Sequence, residues 1–166
     1  MSTKTRDFWK LFKPSACSLR LKGTTPATIF EELVGNLVSA KALSPDLADA
    51  AREALEEREQ LASTGVGMNV AIPHVKLRGL EEVVVSLSVH PEGLEWRSLD
   101  GDPAELFFLV LRPEGKSERH DPERHLEMMR WISVLSRDGD FRNFARRATK
   151  KTELVDLLKE MSNLGT

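Results

Sequence analysis

Six consecutive apolar residues, Leu106 to Leu111, form the longest hydrophobic run in the chain. Strand side chains alternate between two faces, so a strand without polar alternation requires cover on both. The run is far shorter than the ~20 residues that cross a bilayer, and no direct membrane insertion is expected. Glu105 to Leu111 is therefore predicted as the central strand of a layered domain. Glu82 to Val89 differs, because Val83, Val85, Leu87 and Val89 fall on one side of an alternating strand. Between the two lies HPEGLEWRSLDGDP, rich in turn residues, with room for a short edge strand at Leu94 to Arg97.

Helical patterns on either side in sequence can cover such strands. Thr25-Pro26 is a helix start, after which Ile29, Phe30, Leu33, Leu37 and Val38 recur at helical spacing. Ser44-Pro45 repeats the signal ahead of Leu47, Ala50, Ala51, Ala54 and Leu55, in a helix expected to end near Glu59. Asp121-Pro122 opens another, carrying Leu126, Met129, Ile132, Val134 and Leu135, and Asp140 and Thr152 are expected to cap two more. Short strands are expected at Cys17 to Leu21 and within Asn69 to Pro73. This order predicts an α/β (α+β) fold: a single mixed parallel/antiparallel sheet of about five strands flanked by helices on both faces.

The 166 residues suit one domain, assigned to 15–166, with 1–14 as an N-terminal extension docking on it through Phe8, Trp9, Leu11 and Phe12. Lys plus Arg total 24 and Asp plus Glu 26, and a net charge of −2 gives no pull toward polyanions. Arg142, Arg146, Arg147, Lys150 and Lys151 are read as solvated helix-end cations, and no nucleic-acid partner is expected. The lone Cys17 excludes an internal disulfide or CxxC pair. Together with a start, MSTKTRDFWKLFK, that lacks the apolar core of an export signal, this suggests a cytoplasmic location.

Of the four histidines, His74, His90, His120 and His125, one sits in a segment suited to chemistry. Pro73 fixes its own φ and biases Ile72 toward extended backbone, so a short strand ends at a stiff corner that presents His74. Upstream, Thr64, Gly65 and Gly67 offer a hydroxyl and backbone N–H groups that an anion could approach, and they are the candidate phosphate loop. Neutral imidazole is a nucleophile near pH 7 that can accept a phosphoryl group on nitrogen, given cationic help. Arg58, at the end of the preceding helix, is the candidate guanidinium. His125, in the first turn of a later helix, is the second candidate helper, with His120 as its competitor. His90 and His120 have the setting of loop histidines. No HExxH, Cys/His finger, P-loop or GxGxxG pattern occurs, so no metal or cofactor is expected.

Arg58-Glu59 through Ser63-Thr64-Gly65-Val66-Gly67, then Ala71-Ile72-Pro73-His74, resembles the signature of the fructose/mannitol-type enzyme IIA domains of the bacterial phosphotransferase system, including the nitrogen-regulatory branch. Leu94-Glu95-Trp96, Leu99-Asp100, Pro103 with Leu106-Phe107-Phe108, and His125-Leu126 extend the likeness over nearly the whole chain. The resemblance implies a phosphocarrier in which His74 takes a phosphoryl group from a histidine phosphocarrier protein, assisted by Arg58 and His125. It implies a separate IIB protein as acceptor, or a regulatory target whose binding His74 phosphorylation switches.

Overall fold

The computed structural model of the chain describes residues 3–115 and 117–164. Met1 and Ser2 of the expected extension lie outside the described residues, which contain five α-helices and five strands.

The helix α1, Pro26–Ser39, starts where the sequence places it. The Thr28 N–H donates to Thr25 Oγ1 at 3.2 Å and the Thr25 N–H donates to Thr28 Oγ1 at 3.0 Å, a reciprocal cap that satisfies two backbone donors. Ser44 opens a 3-10 turn, Pro45–Leu47, that leads into α2, Ala48–Leu61. Asp121 caps α3, Pro122–Arg137. Two expected caps are corrected. Asp138 rather than Asp140 caps α4, Gly139–Arg147, because its carboxylate accepts the Phe141 N–H at 2.8 Å. Thr152 lies inside α5, Lys151–Glu160, where Glu153 instead reaches back to accept the Thr149 hydroxyl at 2.8 Å.

The strands are β1 (Gly65–Gly67), β2 (Val70–Ala71), β3 (His74–Leu77), β4 (Val84–Leu94) and β5 (Ala104–Pro113). The hub is β5, which pairs antiparallel with β4 on one side and parallel with both β2 and β3 on the other. A hairpin joins β1 to β2, giving a mixed sheet of five strands. The expected edge strand at Leu94 to Arg97 is corrected: β4 continues to Leu94 after a register shift beyond Val89, and the chain leaves the sheet there, with Arg97 at φ of 55° further on. Nor is Cys17 to Leu21 a strand; it makes a single bridge, Ser18 to Ser88, with the Val89 N–H donating to the Ser18 oxygen at 2.8 Å.

The unbroken apolar run has a direct physical basis. Leu106, Phe108 and Val110 enter a core built with α3, α4 and α5, while Phe107, Leu109 and Leu111 enter a second core built with α1 and α2. Burying each such side chain contributes about 1.5–3 kcal/mol, so both faces hold the sheet to its helices. Near the N-terminus, Phe8 and Phe12 are buried against Trp131, with ring centroids 5.8 and 6.2 Å away. Among the described residues no helix is long and apolar enough to cross a membrane.

Candidate functional site

His74 is the first residue of β3, an edge strand whose ladder partner is β5. The Val110 N–H donates to the Pro73 oxygen at 2.9 Å and the Ile72 N–H donates to the Thr64 oxygen at 3.0 Å, so the backbone on both sides of the corner is tied down. The imidazole is exposed, and its Nδ1 lies 2.7 Å from the Ile72 carbonyl oxygen. A carbonyl oxygen only accepts, so Nδ1 carries the proton and the lone pair of the neutral ring resides on Nε2.

That ring borders a cleft of about 420 Å³ that wraps the edge of β3. Arg58 and Leu61 enter it from α2, His74 and Lys76 from β3, Arg112 from β5 and His125 from α3. Three residues singled out in the sequence, His74, Arg58 and His125, therefore meet in one cleft. Arg58 is held by its own helix end, where Nη1 donates to the Ala62 oxygen at 2.6 Å, and no carboxylate lies within ion-pair distance of it among the described residues.

His125 is buried in the first turn of α3, and its Nδ1 has no hydrogen-bond partner. An unpaired lone pair is tolerated in such a place better than an unpaired N–H, which favours the tautomer protonated on Nε2. Burial pushes the basicity of His125 down to about 4, and the nearby charges of Arg112, His120 and His74 act in the same direction. His125 is thus a neutral hydrogen-bond donor near pH 7. His120 packs edge-on against it with ring centroids 5.6 Å apart, and lines a smaller recess with Phe8 and Asp121. His90 is not a loop residue: it is buried in β4, with Nε2 2.9 Å from the Gly23 oxygen.

Thr64, Gly65 and Gly67 are not among the residues lining the cleft. Thr64 is buried beneath α2, with its N–H and hydroxyl both donated to the Glu59 carboxylate at 2.7 and 2.6 Å. Trp96 Nε1–H donates to the same hydroxyl at 3.1 Å. Packing accounts for the glycines. A Cβ on Gly65 would stand 2.2 Å from Ser98 Oγ, and Gly67 has φ of 91° with Asp100 against it. The sequence-predicted strand stops at Leu111 and leaves out Arg112, which lies within β5 opposite Lys76 and lines the cleft.

The chain's known relatives bear on this arrangement. Residues 10–161 match the family described as phosphoenolpyruvate-dependent sugar phosphotransferase system, EIIA 2. A nitrogen regulatory protein of Pseudomonas aeruginosa is 29% identical over 154 residues, 93% of this chain and 96% of that protein. A fructose-specific EIIA component of Haloferax volcanii is 34% identical over 116 residues, 68% of this chain and 70% of that protein. The crystal structure of nitrogen regulatory protein IIA-Ntr from Neisseria meningitidis aligns with a TM-score of 0.74 at 25% identity, covering 90% of this chain and 97% of that one.

Proposed function

Because the chain belongs to the EIIA 2 family of the phosphoenolpyruvate-dependent sugar phosphotransferase system, and is thus a component of a phosphotransferase relay, we propose that it carries the phosphoryl group on Nε2 of His74. The observation that carries this reading is the hydrogen bond from His74 Nδ1 to the Ile72 oxygen, which leaves Nε2 as the nucleophilic nitrogen inside a cationic cleft. The donor is the phosphoimidazolium of a histidine phosphocarrier protein. The His74 Nε2 lone pair attacks phosphorus, the donor's N–P bond breaks, and its electron pair returns to the donor nitrogen. The proton stays on His74 Nδ1, so the product is a phosphoimidazolium whose positive charge the Ile72 carbonyl supports. Arg58 stabilises charge on the equatorial oxygens in transit and His125 donates to them through Nε2–H.

The relay operates in the cytoplasm, and the group then passes to a separate IIB protein or is held as a signal. Alignment with a nitrogen regulatory protein over nearly the full length of both chains favours the signalling output, in which a dianion at His74 changes affinity for a regulatory target. Incubation with phosphoenolpyruvate, enzyme I and the histidine phosphocarrier protein is expected to place one acid-labile phosphate on His74. Absence of label, or undiminished label on His74→Ala, defeats the reading. Affinity capture with His74→Asp against His74→Ala separates the outputs, since identical partner sets count against a phosphorylation switch.

A further inference from the structure

We propose that Arg112 is a second guanidinium that contacts the transferred phosphoryl group, approaching it from the sheet while Arg58 approaches from α2. The proposal rests on the assignment of His74 as the phosphoryl acceptor.

The register of the sheet places the residue. His74 pairs with Val110 and Lys76 with Arg112 across the parallel β3–β5 ladder. Paired residues of parallel strands share a face, and residues two apart on one strand share it too, so His74, Lys76, Val110 and Arg112 project from the same side. All four line the cleft.

Charge pairing separates Arg112, like Arg58, from four other arginines of this chain. Arg52, Arg78, Arg119 and Arg146 each meet a carboxylate, at Asp49, Glu114, Glu81 and Glu105 respectively. Arg112 is half-buried, yet among the described residues no carboxylate lies within ion-pair distance of its guanidinium. A partly desolvated guanidinium without a counter-charge carries a cost that a bound anion removes. Arg112 and His125 line the same cleft, and the guanidinium acts with burial to lower the basicity of His125.

The cleft's fixed charges are Arg58, Lys76 and Arg112 against Glu57. This excess of positive charge complements a phosphoryl dianion. Three donors, from Arg58, Arg112 and His125, match the three equatorial oxygens of a phosphoryl group in flight. Leu61, Val75 and Val110 supply the apolar part of the cleft's lining.

The test compares the full chain with Arg112→Gln and Arg112→Lys, using phosphoenolpyruvate, enzyme I and the histidine phosphocarrier protein. Arg112→Gln is expected to slow phosphorylation of His74 about 10- to 100-fold, the scale of a lost charge-assisted hydrogen bond. Arg112→Lys keeps the charge but loses the planar fork, and is expected to fall between. A second readout separates contact from a structural role. The second ionisation of the phosphoryl group, followed by phosphorus NMR on the phosphorylated proteins, is expected to move to higher pH in Arg112→Gln. The other groups facing that phosphate, Glu57 and Arg58 on α2, His74 and Lys76 on β3, and His125 with its neighbour His120, are unchanged by the substitution. Labelling rate and phosphate titration identical to the parent in both variants overturn the proposal while leaving the His74 assignment intact. A parent chain that takes no label at His74 overturns both together.

Discussion

Nδ1 of His74 and the main-chain oxygen of Ile72 stand 2.7 Å apart, a distance set by a proline corner and not by side-chain packing. The contact assigns the tautomer before any donor arrives. The unphosphorylated ring is expected to be protonated at Nδ1 and the phosphoryl group to form its bond to Nε2. Nitrogen-15 NMR of labelled histidine, with phosphorus coupling in the phosphorylated protein, reads both directly. Coupling to Nδ1 would show that the Ile72 carbonyl does not direct the chemistry.

The corner depends in turn on Thr64. Its carbonyl oxygen accepts the Ile72 N–H, while its N–H and hydroxyl are held by Glu59 and its hydroxyl oxygen takes the Trp96 indole N–H. Thr64→Val preserves shape and β-branching but strands a carboxylate oxygen and a buried indole N–H. A loss of about 1–3 kcal/mol in folding stability is expected, the range for buried polar groups deprived of a partner. Urea unfolding measures it. A midpoint equal to the parent's would mean that Glu59 and Trp96 find water in place of Thr64.

What could be read from the sequence follows from how local each cause is. The Thr25 and Asp121 helix starts depend on a few neighbouring residues and stand where the sequence puts them. The run from Leu106 to Leu111 is short for a buried helix and fits a strand covered on two faces, and its side chains do divide between two cores. The choice of Asp138 over Asp140 turns on which carboxylate reaches the Phe141 N–H, a matter of the entering backbone that composition does not record. Arg112 joins the cleft through the β3–β5 register, a relation between segments more than thirty residues apart. His74, Arg58 and His125 stand out in the sequence because each lies near the end of a local element, whereas Arg112 enters the same cleft through strand pairing.

Gly65 offers a test of why the glycine segment has its composition. A Cβ there would lie 2.2 Å from Ser98 Oγ and 3.0 Å from Ser98 Cβ, with Ser98 buried. Gly65→Ala is expected to cost about 1–3 kcal/mol by overpacking, and Ser98→Gly introduced alongside it to recover part of that loss. Thermal unfolding of the two single variants and the double variant measures the coupling. If packing is the reason for the glycine, the rate of His74 labelling per folded molecule stays at the parent value. A rate loss larger than the unfolded fraction explains would assign the Gly65 backbone to the phosphate.

Burial of His125 gives the protein a defined response to acid. An unfolded chain takes up a proton at this residue near the ordinary value of 6.5, whereas the folded chain resists until about 4. Between those values the unfolded state binds more protons, so this residue makes stability rise as pH increases from about 4 to 6.5 and contributes no slope above. Urea unfolding at about pH 5 and about pH 7.5 is expected to show a smaller acid loss for His125→Gln than for the parent. Equal losses would mean that the imidazole is not protected from protonation in the folded state. Phosphorylation of His74, as proposed, is expected to reverse part of this effect. A dianion placed in the cleft offsets the positive charge of Arg112 and favours imidazolium, so the His125 titration, followed by NMR, is expected to move upward on phosphorylation. An unmoved titration would place the phosphoryl group beyond the reach of His125 and remove this residue from the transfer step.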